Sequence, residues 1–323
     1  MPATRCLLIA LVSMFAGEIP AYAQSWQPDK PIRLIVPFVP GGAADVVSRL
    51  MAERLSAALG QQVIADNRPG AAGTLGLDLL AKAAPDGYTL GEAGDSATVL
   101  PLIYRKLMWD PRTSFAPVAL MTTQPLVLAV HASVPAATLQ EFVALARAKP
   151  GFYVFGSSGT GHPQHLTGEL IKKVAGFTMN HVPYKGGGQA IVDLVGGQIP
   201  VAVLGSSPVI PYHRAGKVKI LAVTAKKRSA ALPDVPTLGE AGVAGIDVSQ
   251  WLSIAAPAKT SPNIVARLNA EIVKILAVPA TRDKLQAAGF EPASSSPQEL
   301  GAMYRDNMAR WAPLVKELKL ELD

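Results

Sequence analysis

The sequence predicts an α/β protein of two lobes joined by two crossing strands. Three observations carry that expectation. Hydrophobic runs pass into helical patterns through turns of small residues, the pattern of the first half returns in the second, and each half ends in one further hydrophobic strand.

The first unit opens with IRLIVPF, Ile32 to Phe38, an unbroken apolar run that reads as a buried strand. Pro40, Gly41 and Gly42 follow. Val46, Val47, Leu50 and Leu55 then recur at helical spacing, so a helix starts at the glycine pair. The free N–H groups of a first helical turn and the positive end of its dipole favour negative charge, and glycine lets the backbone approach it. Neither G-x-x-x-x-G-K-[ST] nor G-x-G-x-x-G is present, which excludes the familiar phosphate loops. The stretch alone leaves two readings open, an anion site or a plain strand-to-helix turn.

The same order of elements then repeats. IRLIVPFVPGGAADVVSRL is echoed by FYVFGSSGTGHPQHLTGEL, and VIADNRPGAAGTLGLDLLAKA by MNHVPYKGGGQAIVDLVGG. YTLGEAGDS corresponds to IPVAVLGSS, and FAPVALMT to VKILAVTA. The strands LVLAVHA (Leu126 to Ala132) and WLSIAAPA (Trp251 to Ala258) end the two sets. Helical patterns from Pro262 to Ala277, Ala280 to Ala288 and Pro297 to Leu318 close the chain.

Two such units, about 115 residues apart, imply two lobes. We place one at residues 24–124 with 248–323 and the other at 125–247. If each terminal strand adds to the sheet of the other lobe, the pair can hinge as a clamp. Ligands of such units lie beyond the carboxyl ends of the strands. Four turns would then face the cleft: Gly41-Gly42, Gly70 to Gly73, Ser157 to Gly161, and Gly186 to Gly188. Their convergence favours the anion reading.

Bulk properties agree with a globular chain: 323 residues, 49% hydrophobic and 17% charged. At the N-terminus, Arg5 precedes an apolar run from Cys6 to Ala16, Gly17 and Pro20 break it, and Ala21-Tyr22-Ala23 supplies small residues. This pattern reads as a secretory signal cut after Ala23. The run is shorter than the roughly 20 residues a bilayer needs. Cys6, the single cysteine, lies in the removed piece, so the mature protein is expected to have no disulfide and no cysteine-bound metal. The formal charge of +6 is spread without clustered aromatics, and the densest basic group is Lys226-Lys227-Arg228. That pattern argues against nucleic acid and leaves at most an attraction for small anions.

Catalytic readings are weaker. GSSGT, Gly156 to Thr160, resembles a nucleophile elbow but fails G-x-S-x-G, since Thr160 replaces the last glycine. Ser157 and Ser158 fit better as helix caps or hydrogen-bond donors to a ligand. His162, His165 and Glu169 form H-x-x-H-x-x-x-E, a spacing that could bind a metal on one helix face. A secreted hydrolase using Ser158, or a metal protein using His162 and His165, is therefore the alternative function. Lys185, in YKGGG, could pair with a carboxylate. Asp45, in the first helical turn, fits the dipole and could orient the glycine turn.

PIRLIVPFVPGGAADVVSRL, DNRPGAAGTLG, AAPDGYTL, KPGFYVFGSSGTGHPQHLTGEL, HVPYKGGGQAIVDLVGGQI, GKVKILAVT, RSAALPDVPTLGEAG and WLSIAAPAKTSP together resemble the Bug receptors, the extracytoplasmic solute receptors of tripartite tricarboxylate transporters (TctC-like). The likeness runs in order over almost the whole mature chain. It implies a two-lobed periplasmic binding protein of type II, the Venus-flytrap kind, with two crossing strands. It also implies a receptor without enzymatic activity or cofactor, whose partners are a small carboxylate and membrane transporter subunits or a sensor domain, the receptor itself being a monomer.

In that family the loops matching Val39 to Asp45 and Gly156 to Gly161 hold a ligand carboxylate. The resemblance therefore implies ligand contacts from Phe38, Pro40, Gly41, Gly42, Ala43, Ala44 and Asp45 in one lobe, and from Ser157, Ser158 and Gly159 in the other. His162, Lys185, Ser206 and Ser207 would face the variable end and set specificity. Three departures stand out. Ala44 replaces a frequent threonine, His162 occupies a position that is more often small and polar, and VLGSS lacks the acidic or amide residue that often follows this strand. The last of these leans against an amino-acid ligand.

Overall fold

A computed structural model describes residues 26–322. The expected signal segment and its cleavage site lie outside the described residues. No helix among those described is long and apolar enough to cross a membrane.

The first unit runs β1 (Ile32–Val36), α1 (Ala43–Leu59), β2 (Val63–Asn67), α2 (Thr74–Ala81), β3 (Thr89–Glu92) and α3 (Asp95–Val99). β1 lies between β2 and β3, parallel to both. Parallel strands covered on both faces read as unbroken apolar runs, and four of the five β1 residues are buried. α1 turns Val47, Leu50, Met51 and Leu55 into the same core, each side chain contributing about 1.5–3 kcal/mol by burial. Val46, counted in that stripe from the sequence, stays 41% exposed.

The second unit repeats the plan. It contains α4 (Leu139–Ala148), β5 (Val154–Ser157), α5 (Pro163–Ala175), β6 (Asn180–Pro183), α6 (Gly187–Val195), β7 (Val201–Gly205), α7 (Ser206–Arg214) and β8 (Val218–Val223). β5 lies between β6 and β7 and is parallel to both.

Two strands join the units. β4 (Phe115–His131) pairs over Phe115–Pro125 with β9 (Ser249–Pro257), and from Leu126 onward with β7 on one edge and β8 on the other. β9 also pairs with β3 of the first unit. Each terminal strand thus enters the sheet of the other unit, as the repeat requires. FAPVALMT and LVLAVHA, read as separate strands, form one continuous β4. Pro125 between them does not break it, because Pro125 sits opposite Ser249, the first residue of β9, where the ladder ends and the missing N–H costs little.

α8 (Pro262–Ala277), α9 (Pro279–Ala287), β10 (Glu291–Pro292) and α10 (Pro297–Glu317) close the chain. α8 spans the residues its periodicity predicts. α10 starts at a capping box in which Ser296 and Glu299 satisfy each other's backbone N–H groups.

Candidate functional site

The carboxyl ends of β1 and β5 face each other, and the turns that follow them meet. The four small-residue turns touch in pairs. A Cβ added to Gly188 would lie 2.3 Å from the Pro40 carbonyl oxygen and 3.2 Å from the Gly42 nitrogen. A Cβ on Gly159 would lie 3.0 Å from the Ala72 methyl. The Val39 N–H donates across the gap to the Lys185 carbonyl at 3.4 Å. Only glycine permits backbones of the two units to approach this closely.

Between them lies a cavity walled on one side by Phe38, Gly42, Ala43 and Ala44, and on the other by Ser158, His162, Gln164 and Gly187. Leu204, Gly205 and Pro208, at the β7 to α7 turn, and Gln250 of β9 complete it.

α1 presents its N-terminus here. The first-turn N–H groups of Ala43 and Ala44 have no acceptor inside the helix. Gly41 takes φ +87, a left-handed conformation that favours glycine. Its N–H is not free for a ligand: it donates to Asp45 Oδ2 at 3.1 Å. Asp45 also accepts from Asn67 Nδ2 at 2.9 Å and from Arg49 Nε. Burial pushes the Asp45 carboxyl up, but these hydrogen bonds outweigh it and hold the group below the usual range. Asp45 orients the glycine turn and does not line the cavity. Pro40 is exposed at the rim.

On the facing unit, successive residues leave β5 in opposite directions. Ser157 turns away, its hydroxyl 2.7 Å from His181 Nε2, and it is fully buried. Ser158 faces the cavity. Its N–H and its hydroxyl both donate to Gln164 Oε1, at 3.0 and 2.7 Å. His162 caps α5, with Nδ1 accepting from the Gln164 N–H at 3.3 Å. Burial and the nearby His165 lower its pKa to about 3, so the imidazole is neutral. With Nδ1 accepting, the proton sits on Nε2. Phe38 meets the ring edge-on from the other unit, 5.5 Å between centroids.

Lys185, Ser206 and Ser207 do not reach the cavity. Lys185 is exposed. Ser206 and Ser207 are buried at the start of α7, where the Ser207 N–H donates to Gln124 Oε1 at 2.9 Å and the Ser206 hydroxyl lies 3.3 Å from the Gly289 carbonyl. Gly159 is packed against Ala72. The Ser158 hydroxyl bonds Gln164 and no histidine, and His165 Nδ1 accepts from the Gly161 N–H. No group of three or more His, Cys, Asp or Glu among the described residues could hold a metal.

Gln164 and Gln250 line the cavity without having been singled out from sequence. Gln164 was findable, since it lies in the first turn of a helix already expected to face the cleft. Gln250 carries no such mark. It becomes visible only when β9 pairs with β4, which sets Gln250 opposite Gln124 with their side chains bonded at 2.7 Å.

The family model described as the tripartite tricarboxylate transporter family receptor matches residues 47–320. Protein BugT of Bordetella pertussis (strain Tohama I) is 34% identical over 324 residues, covering 98% of each chain. Among solved structures, R. palustris Rpa4515 with adipate superposes with a TM-score of 0.87 at 34% identity, over 90% of this chain and 97% of that one. The periplasmic binding protein BugD gives 0.87 at 30% identity, over 91% and 99%.

Proposed function

The chain belongs to the tripartite tricarboxylate transporter receptor family, and from that premise we propose that it is a periplasmic receptor that clamps a small carboxylate and delivers it to a transporter of the tripartite tricarboxylate type. The ligand is a dicarboxylate, a tricarboxylate or an aromatic acid. The observation that carries this reading is a cavity with no charged side chain in its lining, into which α1 presents its first turn, Gly42 to Ala44, while the facing unit contributes the side chains of His162 and Gln164. Converging N–H groups in a desolvated space suit an anion that brings its own charge. The relative solved with adipate supports a carboxylate of that kind.

The two lobes are residues 24–124 with 248–323, and 125–247, and the paired strands β4 and β9 form the hinge between them. The cavity is walled by both lobes, so the lobes part to admit the ligand and close on it. The ligand shifts that equilibrium by binding the closed form better. Gly42, Ala43 and Ala44 hold one carboxylate from the first lobe. Gln164 approaches from the second, its amide held in place by Ser158. No step in this cycle uses Ser158 as a nucleophile or His162 as a metal ligand.

The test is a thermal-shift screen of mature protein, unfolded and refolded to remove co-purified ligand, against carboxylates, their amides, amino acids and divalent metals. A ligand at a hundred times its dissociation constant stabilises the native state by about 2.7 kcal/mol. A shift with a carboxylate and none with its amide is expected. Stabilisation by metals alone, or turnover of an ester or amide, would overturn the reading.

A further inference from the structure

Three side chains in the cavity wall have their hydrogen-bonding direction fixed from behind. Side-chain amides are ordinarily ambiguous between oxygen and nitrogen, but a backbone N–H can only donate. The Ser207 N–H donates to Gln124 Oε1, so Gln124 offers Nε2 to Gln250 Oε1. Gln250 Nε2 is then the end left for the cavity. The Ser158 N–H likewise claims Gln164 Oε1 and leaves Gln164 Nε2. The Gln164 N–H claims His162 Nδ1 and leaves Nε2–H. These three nitrogens have no protein acceptor among the described residues, and all three residues line the cavity.

We propose that Gln164, Gln250 and His162 are the specificity-determining residues of the cleft, and that their three N–H donors, set against a single neutral side-chain acceptor in the Ser158 hydroxyl, select carboxylates without an amino group. This rests on the receptor reading above. Carboxylate oxygens can accept from every one of these groups. A ligand ammonium is also a donor, so it meets N–H groups in a buried space with no side-chain anion lining it. An unpaired buried charge of this kind is strongly disfavoured. The Gln124–Gln250 bond gives the arrangement a second consequence. It ties the ligand-facing amide to both hinge strands and to the start of α7, so ligand contact and hinge geometry share one hydrogen-bonded chain.

The experiment is calorimetric titration of ligand-stripped protein with matched pairs: adipate against 2-aminoadipate, succinate against aspartate, phenylacetate against phenylglycine. In any pair that binds, the amine-free acid is expected to be tighter by about 100-fold or more. Equal or tighter binding of the amino acid overturns the proposal while leaving the receptor reading intact. Absence of binding by every carboxylate of either kind overturns the receptor reading and the proposal with it. Gln250→Glu and Gln164→Glu each keep the rear acceptor and place a carboxylate in the cavity. Each is expected to weaken the amine-free acid by at least about 10-fold and to narrow the gap to its amino partner. An unchanged ratio in both variants, with ligand-free melting as in wild type, removes these residues from the specificity set.

Discussion

Gly188→Ala separates closure from folding. Gly188 is the second residue of α6 and has no unusual φ, so alanine suits the backbone and favours the helix by up to about 1 kcal/mol. The added methyl carbon, however, would stand 2.3 Å from the Pro40 carbonyl oxygen, where ordinary contact begins at 3.4 Å. The obstacle is backbone of the opposite lobe, so no side-chain rotation relieves it. The two turns must retreat by about 1 Å, and overpacking of this size costs typically 1–3 kcal/mol. That cost falls only on the closed form. Ligand-free thermal stability should therefore equal wild type or exceed it, with carboxylate affinity lower by about 5- to 150-fold. Differential scanning calorimetry and titration calorimetry on the same preparation measure both. Wild-type affinity in Gly188→Ala would refute the claim that these turns must touch for ligand to be held.

Other perturbations follow the same logic. Gly42→Leu, whose first carbon would lie 3.3 Å from the Gly188 nitrogen, should abolish binding yet leave the ligand-free fold intact; wild-type titration would exclude the site. Asp45→Ala frees the Gly41 N–H and leaves Arg49 and Asn67 without their carboxylate, so denaturant unfolding should show a loss of about 1–3 kcal/mol. The Asp45 pKa is depressed in the folded state, so its contribution is present above the unfolded value near 3.8 and is lost as pH falls through the folded value. Glu92 and Asp95 behave oppositely. Burial raises both to about 8, and the neighbouring Asp95 adds to the shift of Glu92. The folded state then holds protons that the unfolded chain has released. Stability should therefore fall as pH rises from about 5 toward 8. Glu92→Gln should flatten that slope, and an unchanged slope in urea titrations from pH 5 to 8 would contradict it. His162, lowered to about 3, stays neutral across that range, so carboxylate affinity should not track imidazole titration between pH 5 and 8.

The fold was legible because its determinants are local and repeated. Apolar runs ending in small-residue turns marked β1, β5 and the helices after them, and the two terminal strands crossed between units as the repeat demanded. The lining of the cavity was legible chiefly at the turns that follow β1 and β5, where Phe38, Gly42, Ala43, Ala44, Ser158 and His162 fall. Gly42, Ala43 and Ser158 line the cavity because glycine turns and helix starts fix N–H directions without reference to distant residues. Side chains whose direction depends on register were not. Ser157 and Ser158 are adjacent, and only the pleat decides that one faces His181 and the other the cavity. Lys185 stays exposed although its carbonyl bridges to Val39. Gln250 acquires its place through a pairing with Gln124, 126 positions away. No short-range pattern encodes that contact.

The most direct test of the central claim is the distance between spin labels on opposite sides of the cleft, at Leu75→Cys in α2 and Val192→Cys in α6, both exposed positions. Dipolar spectroscopy on ligand-stripped protein should show a broad distribution that shortens and narrows on adding a carboxylate that binds, and does not respond to its amide. Tight carboxylate binding with an unchanged distribution would contradict a clamp that closes on its ligand.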